Sequence, residues 1–275
     1  MITPRLKISD FSADKSGMKR LAVFNSKGGV GKTTTTLNLA AAAAHEGQTS
    51  LLIDLDPQAH LTRTWGEVPR DSVHSLFGYF QETRSMRSLI QEWSPLGEII
   101  PAHGQLIKVD TLLGKGPGAL NKLRVGLDGM ATTDPAAKHH AAALIDCCPY
   151  MGVLSLNALF ATDALLIPIS TDYLSLDAAQ QITQAMNALE PVLKRRLPRR
   201  YVLTRFDRRR RMSTDVRERL VDRYGDEVCQ TVISENVAVA ESPARKRDVF
   251  AHQSTSAGAV DYLALYRELA AAGFL

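Results

Sequence analysis

The stretch Phe24-Asn25-Ser26-Lys27-Gly28-Gly29-Val30-Gly31-Lys32-Thr33-Thr34 leaves this chain few folds to choose from. It follows the apolar run Leu21–Phe24 and opens a helical, Ala-rich segment, Lys32–Glu46. A run that is apolar on both faces is the mark of a buried parallel strand. Glycines let the backbone turn so that successive N–H groups converge on an anion, and the helix N-terminus adds the positive end of its dipole. Strand, Gly-rich loop and helix in that order make a phosphate-binding loop. Its lysine, Lys32, is placed to reach the β- and γ-phosphates of a nucleotide, and the Thr33 hydroxyl to ligate Mg²⁺. The bland alternative, a Gly-rich turn with two idle surface lysines, has little room when all three parts coincide.

The pattern of apolar run, loop and helix recurs along the chain. Further apolar runs lie at Ser50–Leu55, Ala142–Cys147, Ala164–Ser170, Tyr201–Phe206 and Val228–Ser234. Helical patterns lie at Ser175–Leu189, Ser213–Tyr224 and Ala257–Ala272. The expected architecture is therefore α/β: a single-domain P-loop NTPase with a mostly parallel twisted sheet flanked by helices on both faces. Between Gly66 and Lys138 the signal weakens to short helical patches (Val73–Phe80, Met86–Trp93, Ala119–Met130) and one possible strand, Glu98–Pro101. Residues 1–19 read as a polar arm lacking the apolar core of a secretory signal. No apolar run approaches the roughly 18 residues that a transmembrane helix needs.

Two more strand ends carry carboxylates. In Leu51-Leu52-Ile53-Asp54-Leu55-Asp56-Pro57-Gln58, strand alternation puts Asp54 and Asp56 on one face, at the edge of the sheet where ligands bind. In Ala143-Leu144-Ile145-Asp146-Cys147-Cys148-Pro149 a single carboxylate, Asp146, ends the apolar run. Beside a phosphate loop, such an Asp can hold Mg²⁺ through water. Three cysteines, two of them adjacent, make no disulfide framework and point to a reducing compartment. Cys147 and Cys148 read first as small packed hydrophobes and only second as a redox pair. His139 and His140 have no partner at metal-ligand spacing and read as a surface loop.

Charge is distributed unevenly. Between Lys194 and Arg223 thirteen basic residues face four acidic ones, and the rest of the chain carries 20 basic against 25 acidic. A mildly acidic molecule with one strongly basic segment suits a polyanionic partner. The segment centres on Arg208, Arg209, Arg210 and Arg211, and Arg245, Lys246 and Arg247 form a second cluster. Arginine forks grip phosphates bidentately, and no base-reading helix accompanies them. DNA binding without sequence preference, weakened by salt, is the expectation; a solvated charged turn is the bland alternative.

Taken together these motifs resemble the deviant Walker A ATPases of the ParA/Soj and MinD group. The early Lys27, the Asp-x-Asp-Pro-Gln run and Gly152–Leu159 carry the likeness, which spans residues 20 to about 272. The resemblance implies a ParA-like ATPase domain over 20–275, in a short form without an N-terminal DNA-binding domain. It implies ATP and Mg²⁺ as cofactors, Lys27 through Thr34 as the nucleotide-binding residues, and metal contacts at Thr33, Asp146 and Asp54. It implies that Lys27 crosses a dimer interface to the other subunit's nucleotide, with Lys32 and Asp56 completing the catalytic set. The implied cycle is an ATP-dependent homodimer on nonspecific DNA. A ParB-like or other cargo adaptor would stimulate hydrolysis, and the protein would be cytoplasmic and nucleoid-associated. The sequence departs from relatives at Cys148 and Tyr150 after the third strand end, and at Ala238 where relatives often carry a basic residue.

Three readings compete. A MinD-like membrane cycle would need a basic amphipathic C-terminal helix, but Val260–Leu275 carries one Arg267 against Asp261 and Glu268. A metal-cluster reductase would need cluster cysteines at a dimer seam. An inactive scaffold would have lost Lys27, Lys32, Thr33, Asp56 or Asp146, and all five are present.

Overall fold

The computed structural model describes residues 18–114, 117–132, 140–172 and 174–275. The expected polar arm lies outside the described residues as far as 17, and its last residue, Lys19, opens the first strand. Eight strands form one sheet: β1 (Lys19–Val23), β2 (Ser50–Asp54), β3 (Gln91–Trp93), β4 (Gly97–Ile100), β5 (Ala142–Asp146), β6 (Ala164–Ser170), β7 (Arg199–Phe206) and β8 (Val228–Ser234). Their order is β3-β4-β2-β5-β1-β6-β7-β8, and every neighbouring pair is parallel except β3 with β4. The six apolar runs read from the sequence are β1, β2, β5, β6, β7 and β8.

The helices in chain order are α1 (Lys32–His45), α2 (His60–Trp65), α3 (Leu76–Phe80), α4 (Val109–Leu113), α5 (Pro117–Leu120), α6 (Lys122–Thr132), α7 (Val153–Ala161), α8 (Ser175–Leu193), α9 (Arg211–Tyr224), α10 (Val237–Glu241), α11 (Val249–Gln253) and α12 (Ala257–Ala271). They cover both faces of the sheet, and the core divides accordingly. One cluster joins Phe24, Ile53 and Ile145 to α3, α6, α7 and α8; the other joins Leu21, Leu52 and Leu144 to α1 and α12. Alternate residues of one strand thus feed opposite cores, as the period of two requires.

Three local expectations change. Met86–Trp93 is not one helical patch: a 3-10 turn over Met86–Leu89 gives way to β3, which adds an antiparallel edge to β4. The α9 helix starts at Arg211 rather than Ser213, whose buried hydroxyl instead donates to the Thr171 hydroxyl (3.2 Å). His140 is no surface residue. Its side chain is 6% exposed, with Nε2 2.9 Å from Glu98 Oε2 and Nδ1 3.3 Å from the Thr49 hydroxyl. His139 lies outside the described residues.

Close backbone approach limits one position strongly. A Cβ on Gly97, where φ is +129°, would stand 2.2 Å from the Ser50 carbonyl oxygen on β2. Only glycine fits there.

Candidate nucleotide site

The sheet brings two carboxylates that are distant in sequence to one place. Val23, Asp146 and Asp54 are in register across β1, β5 and β2, so the phosphate loop leaves β1 beside two buried strand-end aspartates. The loop itself is pinned from three sides. The buried Asn25 side chain donates to the Pro168 carbonyl on β6 (2.7 Å) and accepts from the Lys27 N–H (2.8 Å). Thr204 on β7 donates to the Val30 carbonyl (2.9 Å). Gly29 (φ +74°) and Gly31 (φ +87°) supply the left-handed turns. No side chain caps α1, so its first-turn N–H groups remain free to bind an anion.

Lys32 lies almost buried with Nζ donating to the Lys27 carbonyl (3.0 Å). Burial lowers its pKa, and Asp146, Cys147 and Asp56 pull the other way. Lys27 turns elsewhere: its ammonium is ion-paired with Asp172, in the loop after β6.

The three aspartates differ in what they leave free. Asp54 accepts from the Asp56 N–H (3.1 Å), the Thr62 N–H (2.8 Å) and the Thr62 hydroxyl (2.7 Å). Burial pushes it up to about 6, the Thr62 bonds working against that. Its oxygens therefore anchor α2 to β2, and Thr62 in turn accepts from Ala102 N–H (2.9 Å). Asp146 is fully buried and neither oxygen has a partner of ordinary hydrogen-bond geometry. Burial raises its pKa strongly, Asp54 adds to this, and the nearby Thr33 hydroxyl offsets part. Buried carboxylate oxygens left unpaired are costly unless a cation answers them. Asp146 with Thr33 thus fits Mg²⁺, and Asp54 supports the site rather than offering free oxygens. Asp56 borders the open cleft, one oxygen accepting from the Gln58 N–H (2.8 Å).

The cleft measures about 740 Å³. The loop residues Gly28, Gly29 and Gly31 to Thr34 line it together with Asp56, with His60, Arg63 and Thr64 of α2, and with Pro243, Ala244 and Lys246. The shift from Pro to Cys148 is accommodated locally. The Ser155 hydroxyl of α7 donates to the Tyr150 carbonyl (2.6 Å) and sits 3.2 Å from Cys148 Sγ. Cys147, Cys148 and Cys229 are all free and buried, and burial raises each thiol's pKa.

Residues 18–198 match the family described as an AAA domain. The chain is 33% identical over 254 residues to the chromosome partitioning protein ParA of Caulobacter vibrioides, covering 92% of this chain and 94% of the relative. This chain belongs to the ParA/Soj family. It is also 31% identical over 257 residues to the sporulation initiation inhibitor protein Soj of Bacillus subtilis, covering 93% and 99%. Among solved structures, a Mycobacterium smegmatis chain titled cobyrinic acid a,c-diamide synthase superposes with a TM-score of 0.76 at 26% identity, over 91% and 93% of the two chains. That protein holds ADP and magnesium in one structure and an ATP analogue and magnesium in another. This ParA/Soj-family chain accordingly carries a P-loop, and Thr33 and Asp146 beside it fit a Mg²⁺ ion.

The arginines sit apart from the phosphate loop but on the same edge of the sheet. Arg208–Arg210 follow the carboxyl end of β7, and Arg209 and Arg211 are over nine-tenths exposed. Asp207 grips Arg209 through two 3.0 Å bonds and lies 3.4 Å from Arg210. Arg245 and Lys246 follow β8 and α10, where Arg245 reaches Glu241 at 3.7 Å. Sequence reasoning missed Asp172, Thr62, Thr204 and the α2 residues His60 and Arg63. Each is joined to the site by chain packing, and no motif spacing marks it.

Proposed function

We propose that this chain is an ATP-switched positioning protein that dimerises on ATP, holds DNA without sequence preference and releases it after hydrolysis. The observation that carries this reading is a shared edge. The nucleotide cleft, Lys27 and both arginine clusters all follow carboxyl ends of parallel strands, so one event at the cleft can alter the whole charged face.

Lys32 and the free N–H groups of α1 bind and orient the triphosphate. Thr33 and Asp146 hold Mg²⁺, which when bound neutralises charge on the phosphates. Asp56 stands at the cleft wall, where a carboxylate can position the attacking water. Lys27 leaves Asp172 to meet the nucleotide of a second subunit, as an arginine finger does in trans. A ParB-like or other adaptor accelerates the step, and the protein works at the nucleoid. The membrane alternative is disfavoured by α12, which buries Tyr262, Leu265 and Leu269 against α1 and β8. No helix of the described residues is long and apolar enough to cross a membrane.

The test is retardation of random-sequence DNA by the Asp56→Ala protein with ATP and Mg²⁺. The expected result is a shift at low salt that fades steeply as salt rises and disappears in the Arg209→Glu, Arg211→Glu double variant. No shift at low salt, or a shift indifferent to both arginines, overturns the reading.

A further inference from the structure

Two strands on one side of β1 hold the phosphate loop, and each holds a different part of it. β6 takes the entry, where its Pro168 carbonyl accepts from the Asn25 amide. β7 takes the middle, through the bond from the Thr204 hydroxyl to the Val30 carbonyl (2.9 Å). Thr204 is 3% exposed and shares a face of β7 with Val202, which packs in the core cluster that contains α1. That shared face brings a side chain 174 positions along the chain onto the loop just ahead of α1. Among the described residues, Thr204 is the one donor to the Val30 carbonyl.

A trans peptide unit is planar, so its C=O and N–H point in opposite directions. A Val30 carbonyl fixed towards β7 therefore fixes the N–H of Gly31 away from β7. Gly31 lines the nucleotide cleft, and its N–H has no acceptor among the described residues. The peptide units on either side of Lys27 are secured from within the loop, by Asn25 and by Lys32. The Val30–Gly31 unit is secured from outside it. Gly31 stands at φ +87° and, as glycine, takes either sign of φ, so without a latch this unit can turn over at little cost. A turned unit would present a carbonyl oxygen where an anion needs a donor.

We infer that Thr204 is a positioning residue of the nucleotide site: by holding the Val30 carbonyl, its hydroxyl aims the Gly31 N–H at the phosphates. This rests on the nucleotide-binding part of the proposed function and on nothing in it about DNA or dimers.

The test is titration of the purified full chain with fluorescent ADP and Mg²⁺, well below the melting temperature of each variant. Thr204→Val keeps the shape and removes the donor; Thr204→Ala removes both. Each should weaken ADP by about tenfold, the size of one hydrogen bond to a charged group. Thr204→Ser restores the donor and should bind within about twofold of the parent, which a role in packing alone would not give. Thr183→Val is the control, because the Thr183 hydroxyl is also bonded inside the fold, to the Tyr201 hydroxyl (2.7 Å) and the Ala179 carbonyl (2.8 Å), but on α8. It should bind ADP as the parent does, whatever it loses in melting temperature. Parental affinity in Thr204→Val or Thr204→Ala, or an equal loss in Thr204→Ser or Thr183→Val, overturns the inference. A parent that binds no ADP would instead strike the nucleotide reading itself.

Discussion

Lys27 is held by Asp172 of its own chain, while its backbone carbonyl receives the ammonium of Lys32. Asp172 is itself fixed by Ser170 (2.8 Å), Ser175 (3.0 Å) and the Leu174 N–H (3.2 Å). The lysine expected to act across a dimer is therefore parked on a preorganised internal acceptor. Asp172→Asn should free it and tighten the proposed ATP-dependent dimer by about two- to fivefold, the range for a half-exposed pair. Sedimentation velocity with ATP and Mg²⁺ measures this, and a weaker dimer would show that Asp172 assists the crossing.

Asp146 and Asp54 are buried neighbours whose charges oppose each other. Asp146→Asn removes that conflict. The nucleotide-free protein should melt higher, by about 2–4 °C for each kcal/mol relieved, while Mg²⁺-dependent ATP binding falls by about tenfold or more. Calorimetry with and without Mg-ATP separates the two effects; a lower melting temperature without ligand would mean the carboxylate is satisfied in the free protein.

Asp207 chelates Arg209, and that bond, with the Arg209 N–H, holds the carboxyl down to about 2. Asp207→Asn leaves the turn's N–H acceptor in place but releases both guanidiniums. DNA affinity at low salt should rise a few-fold, and its salt dependence should steepen. Filter binding across a salt series would detect this, and unchanged affinity would place the arginines off the DNA face.

Burial pushes the Cys229 thiol up to about 12 and Cys147 well above its usual value. A raised thiol pKa keeps the neutral form in the folded state. These groups therefore support the fold below the ordinary thiol pKa of about 8.5 and withdraw support as pH climbs towards 12. At pH 8 all three cysteines should resist a thiol reagent until denaturant is added. Rapid labelling of Cys147 or Cys148 in the native protein would revive a redox role for the pair.

Gly97→Ala should destabilise the protein by about 3 kcal/mol or more, because the Cβ would collide with the β2 backbone at a positive φ. Urea denaturation measures it, and a loss under about 1 kcal/mol would mean that β4 can shift away from β2.

Much of the protein was legible along the chain wherever a signal is local. Runs such as Leu51–Ile53 announce buried parallel strands because both faces must be apolar. Glycines followed by Lys32-Thr33 announce a phosphate loop because few other residues permit that turn. Met86–Trp93 misled because a short mixed run satisfies both periods, and pairing with β4 decided the matter. His140 misled because its partners, Glu98 and Thr49, are distant in sequence.

The sequence alone determined the class of fold, the phosphate loop and the identity of the acidic strand ends, because spacing and residue type set these within a few positions. Tertiary structure alone decided which acid keeps its oxygens free. Asp54 spends its acceptors on Thr62, and Asp146 does not, a difference created by where α2 lands on the sheet. It also decided that Lys27 rests on Asp172 and that Lys246 faces the cleft. Hydrogen-bond partners and dielectric surroundings are set by the packing of distant segments, and no single stretch of chain encodes them.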